Sequence, residues 1–227
     1  MALITENLQA TRAQIDAAIS PDNHAVTLIA VTKSQSIDLI EKSINAGQRI
    51  FGENYVQEAL TKINALRNYR LEWHFIGPIQ SNKTRQIAEN FDWVQSVDRL
   101  KIAERLNDAR PPYKARLNIC LQVNVSGETS KSGVAPGQLE ELARQVASLP
   151  RLHLRGLMAI PEAVDNETEQ RRVFRELKNL FEQLKQKGYP LDTLSMGMSG
   201  DYKAAIAEGA THVRIGTAIF GEREKSA

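Results

Sequence analysis

Four side chains of this sequence could do chemistry together. Lys33 follows directly on the apolar run Thr27–Thr32 (TLIAVT), and Ser199 and Thr217 each stand beside a glycine near the end of the chain. Arg214 lies in the run His212–Ile215, just ahead of Gly216. A lysine after a buried strand sits at a mouth of low dielectric, where desolvation favours the neutral amine and so Schiff-base chemistry. Taken alone, a lysine at a strand end is more often simply solvated. Hydroxyls and glycines at two strand ends can turn O–H and backbone N–H groups onto one anion. The same glycines could simply make tight turns. An amine and an anion cradle together suggest a phosphorylated aldehyde, either pyridoxal phosphate or a sugar phosphate.

The elements that must position these groups alternate in type. An opening helix places Ile4, Leu8, Thr11, Ile15 and Ile19 on one face and ends at Ser20-Pro21. Strands are expected at Thr27–Thr32, Arg49–Phe51, Glu72–Ile76, Trp93–Val97, Leu117–Val125, Leu154–Ile160, Thr193–Met196 and His212–Ile215, each an apolar or alternating run bounded by turn residues. Between them lie helices. One is capped by Ser36, with Ile37, Ile40 and Ile44 inward and a stop at Gly47. Others run from Val56 to Leu66, after Ser81-Asn82, and from Arg99 to Asp108. A sixth is opened by Pro136 and buries Leu139, Leu142, Val146 and Leu149; a seventh uses Val173, Leu177, Leu180 and Leu184; the last spans Asp201–Glu208 and closes at Gly209. Eight strands with short joints and no Pro/Gly-rich linker predict an α/β fold, a single (β/α)8 TIM barrel over residues 1–227. An open doubly wound sheet is the alternative, but no GxGxxG follows the first strand.

Active groups of such a barrel lie at the carboxyl ends of its strands. Those positions hold Lys33; Gly52, Glu53 and Asn54; His74; Ser96 and Asp98; Asn124, Ser126 and later Lys131; Met158; Ser199; and Arg214, Gly216 and Thr217. Asn54 could cap the next helix as well as face a ligand. His74, between Trp73 and Phe75, could be a hydrogen-bonded core residue or a ligand contact. A buried Arg214 demands a partner. No cluster has metal-ligand spacing and no Ser/His/Asp set is suggested.

Composition narrows the function classes. Of 227 residues, 42% are apolar and 25% charged, and 29 basic against 27 acidic residues leave a net charge of +2, too little to argue for nucleic acid or an anionic membrane. No apolar run approaches the ~20 residues needed to span a bilayer, and the opening MALITENLQATRAQ does not read as a signal peptide. Cys120 is the single cysteine, inside an apolar run, and reads as inert core. A cytoplasmic protein is expected.

The stretches LIAVTK, AGQRIFGENYVQEA, LEWHFIGPIQSNK, LNICLQVNVSGETSKSG, LRGLMAIP and LSMGMSGDYKAAIAEGATHVRIGTAIFG occur in this order along the whole chain. On them the sequence resembles the pyridoxal phosphate homeostasis protein family, whose fold is similar to the barrel domain of alanine racemase. The resemblance implies pyridoxal 5'-phosphate as cofactor, joined as a Schiff base to Lys33. It implies a phosphate held by Ser199, Gly216 and Thr217, Arg214 at the pyridine nitrogen, and Asn54 with the His74/Ile76 strand around the ring. One departure is plain: where many relatives carry a second lysine two positions on and then proline, this chain has Gln35 and Ser36.

The resemblance further implies cofactor binding and delivery in vitamin B6 homeostasis, without catalysis. Apo forms of pyridoxal phosphate-dependent enzymes would be transient partners, with no nucleic acid or membrane partner, and the protein would be a monomer. A racemase needs a base on each face of its substrate, and alanine racemases take one from an additional C-terminal domain. The sequence ends six residues after Gly221, which leaves that domain out of the expectation. A racemase-like enzyme is the alternative. A Schiff-base aldolase for sugar phosphates would account for Lys33 but not for Arg214.

Overall fold

Eight short apolar runs pair in chain order into a closed parallel barrel, β1 (Thr27–Val31), β2 (Ile50–Glu53), β3 (Glu72–Phe75), β4 (Trp93–Val97), β5 (Leu117–Gln122), β6 (Leu152–Met158), β7 (Thr193–Ser195) and β8 (His212–Ile215). The ring closes where β8 pairs with β1, with Ile29 beside Arg214. Strands covered on both faces need no polar alternation, which is why their sequences read as nearly continuous apolar runs. This computed structural model describes residues 2–20, 25–126 and 132–221, so Pro21 and Lys131 lie outside the described residues.

The helices are α1 (Ala2–Ala18), α2 (Ile37–Asn45), α3 (Val56–Ala65), α4 (Thr84–Asn90), α5 (Leu100–Ala109), α6 (Leu139–Ala147), α7 (Glu167–Gln186), α8 (Tyr202–Ala207) and α9 (Thr217–Phe220). Ser36 caps α2 by accepting from the Leu39 amide and Asn166 caps α7 by accepting from Glu169, each meeting a donor the first turn leaves unpaired. α1 precedes the first strand and packs on α2, α8 and α9, covering the seam where the barrel closes. It buries Ile4, Leu8 and Ile15, each contributing about 1.5–3 kcal/mol. Asn7 reaches the Ile219 carbonyl (3.1 Å) and Tyr202 donates to Gln14 (2.6 Å), fixing its rotation.

Several expectations shift. β2 extends through Glu53, which makes that carboxylate part of the strand end. β5 stops at Gln122 instead of Val125, because Val123 leaves the ladder for a single bridge to Val134. β6 runs from Leu152 to Met158 instead of Leu154 to Ile160. On α7 the buried stripe is Phe174, Leu177, Phe181 and Leu184, the aromatic rings displacing Val173 and Leu180 to half-buried positions. The sequence reading lacked α9, a single turn begun at Gly216.

The barrel interior departs from the aliphatic filling usual in this architecture. Trp93, Cys120 and Met158 pack together apart from the main core. His74 stacks on Trp93 with ring centroids 5.1 Å apart, and the Arg155 guanidinium lies over the same indole at 4.7 Å. Arg155 is in turn paired with Asp192 (2.6 Å) and Asn118 (3.0 Å). Burial pushes the Cys120 thiol up, so it stays protonated.

Burial pushes His74 below its ordinary value, and burial together with His74 pushes His212 down to about 3. Both rings stay neutral in the fold while the unfolded chain protonates them. Stability is therefore full above about pH 6.5 and is lost as pH falls below it. Glu53 and Asp201, pushed up by burial, act in the opposite sense. A His212→Gln variant leaves those two carboxyls unchanged and removes one proton from the linkage. Its unfolding free energy should fall less steeply between about pH 6 and 4, by about 1.4 kcal/mol per pH unit. Denaturant unfolding across that range checks this; an unchanged slope would contradict it.

Candidate functional site

Lys33 sits half-buried in the turn after β1, between two tethered residues. Thr32 before it donates its hydroxyl to Glu53 (2.5 Å) and gives its carbonyl to the Lys62 ammonium (2.6 Å). Ser34 after it has φ of 61°, the one positive value among the described non-glycine residues. A serine held there costs on the order of 1–3 kcal/mol unless its surroundings fix it. Its amide donates to Glu58 (2.6 Å), and the Gln35 amide closes the turn on the Thr32 carbonyl (3.0 Å). Glu53 and Glu58 both pair with Lys62, which is almost wholly buried on α3. One buried ammonium thus holds both ends of the turn that carries Lys33.

The mouth above this turn is a cavity of about 420 Å³, within the range of small-ligand sites. Lys33, Asn54, Ser199, Arg214, Gly216 and Thr217 all line it, so six of the seven expected residues come together there. Val31, Ile76, Ile160 and Met198 supply apolar wall, and Gln35, at the position where the family pattern departs, lines it too. Ser199 is exposed at the end of the β7 loop, whose shape depends on Gly197 (φ of 93°): a Cβ there would come within 2.9 Å of the Tyr202 backbone. The Met198 amide in the same loop donates to Asp201 (2.5 Å).

Asn54 does not cap α3. Tyr55 occupies the cap position, and the buried Asn54 Oδ1 has no hydrogen-bond partner. A buried acceptor left unpaired costs about 1–3 kcal/mol, so it marks a place for a ligand group. Gly77 permits the arrangement: a Cβ there would stand 2.2 Å from the Asn54 carbonyl oxygen. Arg214 is also buried. One of its nitrogens donates to the Ser195 hydroxyl (2.7 Å) and another to the Ala159 carbonyl (2.8 Å). Burial pushes it down to about 10, against the pull of Asp201, so it remains charged at neutral pH. With five donors, a guanidinium so held keeps others for the cavity.

His74 is a correction. Its ring is wholly buried in the barrel and absent from the cavity lining, with one nitrogen on Glu72 (2.7 Å) and the other on Gln95 (2.8 Å). It takes its place in the core because β3 turns it inward, opposite to Trp73 and Phe75, a full step below the strand end. Ser96, also noted at a strand end, spends its hydroxyl on the Gly77 carbonyl (2.5 Å). Lys62, Gln95 and Ser195 were missed. The i,i+4 spacing of Glu58 and Lys62 and the lone amide of Gln95 within an apolar run were the available signals.

The donor set suits a phosphorylated aromatic aldehyde: an amine, a buried guanidinium, an unpaired amide oxygen, and hydroxyls beside glycines. A profile of the alanine racemase N-terminal domain family matches residues 4–224. The pyridoxal phosphate homeostasis protein of Pasteurella multocida is 51% identical over 230 residues, covering 100% of this chain and 97% of that relative. The chain belongs to the pyridoxal phosphate homeostasis protein family. Another relative, PipY of Synechococcus elongatus in its structure with PLP bound, is 37% identical at a TM-score of 0.85, over 96% of this chain and 100% of that one. Alanine racemase from Clostridium difficile, at 13% identity and a TM-score of 0.77, shares the fold over 58% of its own length. Among the described residues, no group of His, Cys, Asp and Glu could hold a metal ion, and no helix is long and apolar enough to cross a membrane.

Lys62→Met would leave Glu53 buried without its cation and is expected to cost about 3–5 kcal/mol. The double variant with Glu53→Gln removes the stranded charge as well and should recover much of that loss. Chemical denaturation checks both; a Lys62→Met protein as stable as its parent would show that the cluster holds nothing.

Proposed function

We propose that this chain binds pyridoxal 5'-phosphate at its barrel mouth and serves cofactor homeostasis, holding and releasing it without turnover. The observation that carries the reading is one cavity lined by both Lys33 and the buried Arg214, in a chain half-identical over its length to a relative named for this role. When bound, the cofactor supplies an aldehyde that exchanges between amines and a ring that can accept electrons.

Lys33 supplies the amine for the aldehyde. Ser199, Gly216 and Thr217 receive the phosphate, through hydroxyls and backbone N–H groups. Arg214 faces the pyridine nitrogen, and its charge is retained because a guanidinium does not surrender a proton at neutral pH. Asn54 and Ile76 border the ring, whereas His74 has no place in the contact set. Among the described residues lining the cavity there is no carboxylate, histidine or tyrosine to serve as a second base opposite Lys33. A second base would contribute about 10²–10⁴-fold to proton abstraction on the other face. That favours retention over racemisation, for which the fold likeness alone speaks. The transient partners are apo enzymes that use the cofactor; the protein acts as a cytoplasmic monomer.

Borohydride added to the protein with pyridoxal 5'-phosphate should fix the cofactor to the peptide containing Lys33. An equal adduct in Lys33→Ala would overturn the assignment. Ser199→Ala should weaken binding about tenfold or more, the cost of one charge-assisted hydrogen bond. Pyridoxal without its phosphate should bind far more weakly; equal affinity for the two forms would contradict the cradle.

A further inference from the structure

Behind the cavity a single line of hydrogen bonds runs through the barrel. Arg214 on β8 meets the Ser195 hydroxyl on β7 (2.7 Å), and Ser195 meets the Gln95 oxygen on β4 (2.7 Å). The Gln95 nitrogen meets His74 Nδ1 on β3 (2.8 Å), and His74 Nε2 meets Glu72 at the start of the same strand (2.7 Å). Ser195, Gln95, His74 and Arg214 are all buried, whereas the Glu72 side chain is 43% exposed at the opposite mouth. Such a column gives up apolar packing, and buried polar groups are tolerated only where every one is paired.

The direction of the line follows from its first member. A guanidinium only donates, so the Ser195 oxygen must accept. The one Ser195 proton then goes to Gln95 Oε1, which turns the amide nitrogen toward His74. Nδ1 must accept that donor, so the ring proton lies on Nε2 and points at the Glu72 carboxylate. A flipped Gln95 would require a doubly protonated His74 and would take the Gln95 acceptor from Ser195. The groups facing His74 are Glu72, Gln95, the stacked Trp93, Asp92 and His212. The His74 hydrogen bond holds the Glu72 carboxyl below its ordinary value, so it stands ready to accept.

We propose that Gln95 is a positioning residue for Arg214: together with Ser195, and with His74 fixed as its Nε2–H tautomer by Glu72, it holds the guanidinium in one pose toward the cavity. The consequence for the cofactor rests on the reading of the site given above, while the consequence for Arg214 does not. Loss of Gln95 frees the Ser195 side chain to rotate, and among the described residues Arg214 then keeps its fixed partner in the Ala159 carbonyl.

Two measurements on ¹⁵N-labelled protein without cofactor test this directly. His74 should show an unprotonated Nδ1 and a protonated Nε2 at neutral pH; a protonated Nδ1 would overturn the line. Solvent exchange of the Arg214 guanidinium protons should quicken about tenfold in Gln95→Leu, the effect of one lost buried hydrogen bond. Unchanged exchange would overturn the positioning role. Ser195→Ala removes a single oxygen and repeats the test should Gln95→Leu fail to fold. With pyridoxal 5'-phosphate as probe, Gln95→Leu should weaken binding about tenfold in the parent and not at all in Arg214→Met. Equal weakening in both would make Gln95 merely structural. No binding by the parent would sink the reading of the site and leave the tautomer and exchange results to decide the positioning.

Discussion

Lys62 carries its ammonium into a nearly closed space between α3 and the barrel, where it meets the Thr32 carbonyl and the carboxylates of Glu53 and Glu58. Burying such charges costs several kcal/mol per ion before their mutual attraction offsets it, and an apolar replacement would often be as stable. What the cluster provides is placement. It grips the residues on either side of Lys33, including a serine in a left-handed conformation that would otherwise relax. An amine on an unconstrained four-carbon stem would sample many poses, whereas a fixed turn narrows them. The rest of the mouth is arranged around that turn, with β8 and its glycine beside it across the barrel seam.

The interior repeats the exchange of packing for placement. Barrels of this kind ordinarily fill with branched aliphatic side chains. Here a file of polar groups spans from Arg214 to Glu72, with each link paired. The two devices reach the cavity from different sides. The ion cluster works from outside the barrel wall on the amine, and the polar file works from inside on the guanidinium.

Much of this was legible in the sequence where one physical rule governed one segment. Trp93–Val97 and His212–Ile215 form strands with the expected ends, since apolar content and turn residues agree there. Lys33 and Arg214 both reach the cavity because they stand at strand ends, the positions the sequence pattern singles out in such a barrel. Errors arose where neighbours distant in sequence decide. Whether Val123–Val125 continue a strand depends on Val134, and the buried stripe of α7 depends on which side chains fill the gap against the barrel. His74 was assigned to the mouth because its distance below the strand end is a matter of register. Gln95 and Ser195 were not singled out, because their significance lies in a contact spanning a hundred residues.

Among the described residues, the cavity sets Lys33 and a charged guanidinium together with no carboxylate, histidine or tyrosine beside them, and the proposal of retention without turnover rests on that lining. The most direct test is proton exchange at the α-carbon of common amino acids in deuterated water, with the purified protein and pyridoxal 5'-phosphate present. Retention of the α-proton, no faster lost than in the Lys33→Ala protein, is the expected result. Lys33-dependent exchange at rates on the order of 1 s⁻¹ or faster, typical of working enzymes, would contradict it.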